Sequence, residues 1–217
     1  MSTASRSDME SLIDKLLLLK TIGTAQGRGR LVTIPLQKLV FLSEHRMNER
    51  GIKGFSYSFY RDHFGPAAPD IYSDFTQLID AGLIRDCPFR ITSAGRELLE
   101  GLHGTFHRSG NREASEIIES VAGSTPIRTQ DIKRLVYDMS IELPDGTIRR
   151  ISDIPFQPRR KILIMKKLAP RECREVFTLT DDEVETLEIA MDPDLRESLR
   201  RAEEDARSGR IAPRPAG

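Results

Sequence analysis

Apolar residues recur at helical spacing from the start of the chain. Leu12, Ile13, Leu16, Leu17 and Leu19 follow the capping pair Ser7 and Glu10, and the run reads as a first helix ended by Gly23. Leu36, Leu39, Val40 and Phe41 behind Pro35 give a second helix, closed by Gly51. Phe55-Ser-Tyr-Ser-Phe-Tyr60 switches to period two, the mark of a half-buried strand. Helical spacing returns at Ile71, Phe75, Leu78 and Ile79, with Gly82 as C-terminal cap. Leu83-Ile84 and Phe89-Arg-Ile91 are expected to pair across Arg85 to Pro88 as a short wing, and Thr92 to cap a fourth helix through Leu99. Ile117, Ile118 and Val121 mark a helix within 110–122, and another runs from about Thr129 to Met139. Two alternating runs flank Asp145-Gly146, the best hairpin signal in the chain.

These elements predict a mainly α fold with small β. A winged-helix-like helical domain is expected over 1–140, a β-hairpin and basic segment over 141–178, and an acidic, amphipathic helical tail over 179–217. The order helix, helix, strand, helix, wing, helix is that of a winged helix. Yet the helix that such a fold sets into DNA, about Ala67 to Ala81, holds no Lys or Arg, and none occurs between Arg61 and Arg85. An acidic reading helix favours protein over duplex as the partner. Residues 23–34, with three glycines and two arginines, read as a flexible basic loop.

Composition narrows the picture further. Charged residues are 30% of the 217 and balance to zero, so the whole molecule has no bulk attraction for nucleic acid or anionic membrane. Locally, nine basic residues stand against Asp153 and Glu172 from Arg149 to Arg174, and eleven acids against four arginines from Asp181 to Arg207. The two stretches either neutralise each other within one molecule or are solvated faces; alternatively, the basic one, with Ile162 to Met165 inside it, holds an anionic partner. Cys87 and Cys173 are far apart and in no metal spacing, which predicts free thiols. Acids occupy the N-terminal positions where a signal peptide needs an apolar run, and Leu16 to Leu19 is too short to span a bilayer, so a cytoplasmic protein with no membrane partner is expected.

In the tail, Asp192-Pro193 starts a helix on which Leu195, Leu199, Ala202 and Ala206 form a narrow apolar stripe. So little apolar surface does not hold a free helix in water, and the segment must dock on its own domain or on a partner.

Leu36-Gln-Lys38-Leu-Val-Phe41-Leu, the aromatic strand, Phe64-Gly65-Pro66, Leu78-Ile-Asp-Ala-Gly-Leu-Ile84 and Ile91-Thr-Ser-Ala-Gly95 together resemble the SocA-like "Panacea" antitoxin family over about residues 9–105. The resemblance marks Lys38, Phe41, Gly65 and Pro66 as family-motif residues. It implies a module that neutralises a toxin encoded beside it by direct protein contact, or hands that toxin to a AAA+ protease. Leu187 to Arg210 is similar to the toxin-binding C-terminal segment of Phd/YefM-type antitoxins. That second resemblance implies that Leu195 and Leu199 anchor in a toxin groove, that Leu187 and Met191 extend the contact, and that Glu203, Glu204 and Asp205 meet a basic toxin face.

Signals for catalysis are weak. His103 and His107 have a spacing that can hold zinc, but no third ligand is near in sequence. Nucleophile motifs, phosphate loops and His-Glu metal motifs are absent from the sequence. The expectation is an antitoxin, neither an enzyme nor a cofactor or metal binder, with its oligomeric state open and a homo-oligomer among the alternatives. The competing reading is a DNA-binding winged-helix transcriptional regulator. Its operator contacts would come from Arg28, Arg30, Arg85, Arg90, Arg159, Arg160 and Lys161, since the third helix offers none.

Overall fold

Ser7 and Glu10 open α1 (Asp8–Ala25) by a reciprocal cap, Glu10 N–H donating to Ser7 Oγ at 3.2 Å and Ser7 N–H to Glu10 Oε2 at 3.0 Å. In the computed structural model, which describes residues 6–157, 162–165 and 168–208, this helix continues past Gly23. A Cβ at Gly23 would lie 3.2 Å from Leu99 and 3.5 Å from Ile91, so the glycine admits close packing instead of ending the helix. Leu16, Leu17, Leu18 and Leu19 are all buried, as befits a helix apolar all round and surrounded by others.

The second helix, α2 (Thr33–Glu49), buries Leu36, Leu39, Val40 and Phe41. It leads through β1 (Ile52–Lys53) to a hairpin of β2 (Tyr60–Asp62) and β3 (Gly65–Ala67). Next come α3 (Pro69–Asp80), β4 (Ile84–Arg85), β5 (Arg90–Ile91) and α4 (Ser93–Gly101). The wing pairs as expected, Ile84 opposite Ile91, and Thr92 Oγ1 caps α4 by accepting Gly95 N–H at 3.1 Å. Then follow α5 (His103–His107), α6 (Arg112–Ser124), α7 (Thr129–Tyr137) and the hairpin of β6 (Ser140–Glu142) with β7 (Ile148–Arg150). The last described elements are β8 (Glu175–Val176), parallel to β1, α8 (Asp181–Met191) and α9 (Pro193–Arg207).

The architecture is thus mainly helical with small antiparallel hairpins. Three expectations need correction. Phe55 to Phe59 alternates as read, with Phe55, Tyr57 and Phe59 buried, but it is not a sheet strand. Its ladder is short and distant: Ile164 N–H donates to Phe59 O at 3.1 Å, and Arg61 N–H to Ile162 O at 2.9 Å. Secondly, Ile164 and Met165, set inside the basic stretch, are buried and belong to the core, while Lys161, Lys166 and Lys167 beside them lie outside the described residues. Thirdly, the three sequence segments share one hydrophobic cluster, to which Ile141, Ile151, Phe177, Leu187 and Ala190 contribute alongside α1 and α2. The boundaries at 140 and 178 therefore mark changes in charge, not separate cores.

Candidate functional site

The motif residues of α2 read the turn that precedes α3. Gln37 clamps Ala68 from both sides, Nε2 donating to Ala68 O at 3.1 Å and Oε1 accepting Ala68 N–H at 3.0 Å. Lys38 Nζ donates to Pro66 O, and a Cβ on Gly65, whose φ is +90°, would sit 3.6 Å from Lys38 Cε and Nζ. Phe41 is fully buried and meets Phe59 edge to face at 5.2 Å. Lys38, Gly65 and Pro66 are therefore one structural unit, with Phe41 supporting it one turn further along α2.

Burial pushes the Lys38 ammonium down to about 7, against the opposing pull of Asp62. In the unfolded chain the same group titrates near ~10.4. Between those values the folded state holds fewer protons than the unfolded one, so stability should rise with pH through that window. The gain is on the order of 2 kcal/mol from about pH 7 to about pH 9, which a chain of this size shows as a rise of about 4–8 °C in melting temperature. Circular-dichroism melts across that range should show the rise in the native protein and a clearly smaller one in Lys38→Met, where Lys15, also held below its usual range by burial, still contributes.

A second polar cluster escaped the sequence reading. Arg6 Nη1 lies 2.7 Å from both Asp14 Oδ2 and Asp74 Oδ2, and its Nη2 lies 3.2 Å from Asp74 Oδ1. Tyr57 OH donates to Asp74 Oδ2 at 2.7 Å, while Ser56 N–H donates to Asp14 Oδ1 at 2.7 Å. Both carboxylates and the tyrosine are fully buried. One signal was available: Asp74 stands on the same helical face as Ile71, Phe75 and Leu78. A carboxylate at an apolar position requires a cationic partner, but its identity lay 68 residues away.

The tail divides at Asp192. Helix α8 is fastened to the body: Thr105 Oγ1 donates to Glu183 Oε1 at 2.6 Å, Arg108 Nη2 to Glu183 Oε2 at 2.7 Å, and Asn111 exchanges two bonds with the backbone of Thr178. Leu187 is 2% exposed and Met191 packs against the same core, so neither belongs to an accessible docking stripe. Helix α9 is different. Asp192 Oδ1 caps it by accepting the N–H groups of Asp194 and Leu195, both at 3.0 Å, yet no residue of α9 is buried. Leu195 and Leu199 remain 41% and 42% exposed. Glu203 pairs with Arg207 at 3.4 Å and Glu204 with Arg200, both within the helix. Arg200 and Arg201 together hold the Glu197 carboxyl down to about 2. One tether to the body is Arg196, which donates to Ala81 O.

The candidate cations also part company. Arg28 Nη1 donates to Ala122 O at 2.5 Å and Thr125 O at 3.0 Å, capping the end of α6. Arg30, Arg85 and Arg90 are exposed and gather around the wing. Arg159, Arg160 and Lys161 lie outside the described residues. The loop between α1 and α2, read as flexible, is pinned from the wing as well as by Arg28: Phe89 N–H donates to Leu31 O at 2.8 Å and Ile91 N–H to Gln26 Oε1 at 2.9 Å. The His103 and His107 rings meet at a tilt, with centroids 4.1 Å apart, and among the described residues no group of three His, Cys, Asp or Glu could hold a metal ion. Among the same residues no helix is long and apolar enough to cross a membrane.

Fold and site define the class, a mainly helical protein with small antiparallel hairpins and a C-terminal helix outside its core. No family model, curated protein or solved structure matches the chain.

Proposed function

We propose that the chain is an antitoxin that neutralises a protein toxin by direct binding, without catalysis, and that α9 is the segment the toxin holds. The single observation behind this reading is the exposed pair Leu195 and Leu199 on a helix with no buried residue, directly after a helix that is firmly fastened. The Asp192 cap contributes about 1 kcal/mol, and with the solvent-exposed intrahelical ion pairs it favours a helix without fixing it on the body. Covering the two leucines adds on the order of 1 kcal/mol for each, which a partner groove supplies and the body does not.

The body fits a winged-helix-like module in the order of α3, wing and α4. Its α3 presents Asp70, Tyr72, Ser73, Thr76, Gln77 and Asp80 to solvent, a face suited to protein and unsuited to a DNA groove. Leu195→Asp with Leu199→Asp should abolish growth rescue when the protein is co-expressed with the product of the adjacent gene. The melting temperature should be unchanged, since neither leucine is in the core. Because the contact is largely apolar, affinity should change little from about 50 to about 200 mM salt. Rescue that survives the double substitution sinks the assignment of α9.

A further inference from the structure

The cleft between the 26–31 loop and the wing has a volume of about 640 Å³ and is bordered by Gly27, Gly29, Arg30, Pro88 and Arg90. A neighbouring recess of about 390 Å³ shares Gln26 with it and adds Arg96 at the start of α4. The walls are held in place by the Leu31–Phe89 and Gln26–Ile91 hydrogen bonds already described. Gly27 and Gly29 take φ of +87° and +143°, a path that brings bare backbone to the rim.

Two observations bear on this cleft. Among the described residues Arg30, Arg85, Arg90 and Arg96 have no carboxylate within 4 Å, as is also true of Arg46, Arg112, Arg134, Arg149 and Arg150, but here such cations gather around one short hairpin and the loop packed on it. The wing's one acid, Asp86, is turned back to accept Cys87 N–H at 2.7 Å. In addition, Arg85 and Arg90 are register partners across the wing. Like charges placed directly opposite one another destabilise a ladder, and an anion lying over both removes that repulsion.

We infer that this cleft seats the phosphate backbone of duplex DNA, gripped by Arg30, Arg85, Arg90 and Arg96 without base reading by α3. Four guanidiniums spread over a loop, two strands and a helix suit a chain of repeated phosphates better than one isolated anion. Leu31 and Phe89, at the base of the cleft, are buried, which leaves Arg30 and Arg90 as its charged, accessible members. With Asp70 and Asp80 on the exposed face of α3, contact with base edges is disfavoured and binding is independent of sequence.

The site is separate from α9 and stands whether or not the antitoxin reading does. Fluorescence anisotropy of the full chain with labelled duplexes of about 20 base pairs and unrelated sequence tests it over about 50 to 200 mM salt. Expected is binding of both duplexes within about twofold, with log K against log salt sloping between about −2 and −4. Arg30→Ala with Arg90→Ala should weaken binding at least about tenfold and reduce the slope by about 2. Both side chains are exposed, so an unchanged melting temperature is the fold control. Leu195→Asp with Leu199→Asp should bind DNA as the native chain does. No binding at the lowest salt, an unaltered slope in the arginine variant, or equal competition by poly-glutamate would each overturn the inference.

Discussion

Asp74→Ala is expected to lower the free energy of unfolding by about 3 kcal/mol, about a fifth or more of what a typical domain has in total. The carboxylate accepts two bonds from Arg6 and one from Tyr57 in a fully buried position on α3. Removing it strands the Tyr57 hydroxyl and takes away two hydrogen bonds of the guanidinium. Breaking a buried pair costs about 3–5 kcal/mol when one charge is left alone; Arg6 keeps Asp14 at 2.7 Å and is 16% exposed, so the lower end applies. Tyr57→Phe deletes one bond to a charged acceptor and leaves the ion pairs, which predicts a loss of about 1–2 kcal/mol. Urea unfolding with an unchanged m-value measures both. A cost below about 1 kcal/mol for Asp74→Ala would mean that the cluster does not tie the N-terminus to α1 and α3.

Gly95→Ala should cost about 2–3 kcal/mol by overpacking. A Cβ there would lie 2.2 Å from Leu83 O and 2.8 Å from Ile91 Cγ1. The carbonyl has no room to retreat, because it also accepts Thr92 N–H and Thr92 Oγ1–H, each at 3.0 Å. Shifting it would loosen the wing and the cap of α4 together. The same urea titration is the check, and an additional readout is hydrogen exchange at Ile84 and Ile91, which should speed up more than that of α2. A substitution without measurable cost would contradict this close approach of α4 to the wing.

The local features were legible because their partners are close in sequence. Ser7 with Glu10, Thr92 with Gly95, and Asp192 with Asp194 and Leu195 are contacts across two or three residues, and a cap is written in that span. The β4–β5 and β6–β7 hairpins follow from turn chemistry and short alternation. Phe55 to Phe59 shows where legibility ended. Its alternation correctly marks the buried side chains, but its backbone partner, Ile162 to Ile164, lies about a hundred residues downstream. Gly23 was misread for a related reason: a glycine that stops a helix and one that admits a neighbouring helix look alike until Leu99 is in place.

The candidate sites divide in the same way. The spacing of Leu187, Met191, Leu195 and Leu199 indicates apolar faces, and packing alone decides that the first two are covered by the body and the last two are not. Arg28 and Arg30 are two residues apart in one loop, yet one caps α6 and the other borders a cleft.

The chain by itself determined where helices begin, which turns are tight, and which residues are apolar enough to need burial, because those properties depend on neighbours within about four residues. Only the tertiary structure decided that Lys38 meets Pro66, that Asp74 meets Arg6, and that α8 is held while α9 is open. Those pairings join residues tens of positions apart, and burial selects among them only when the whole core has closed.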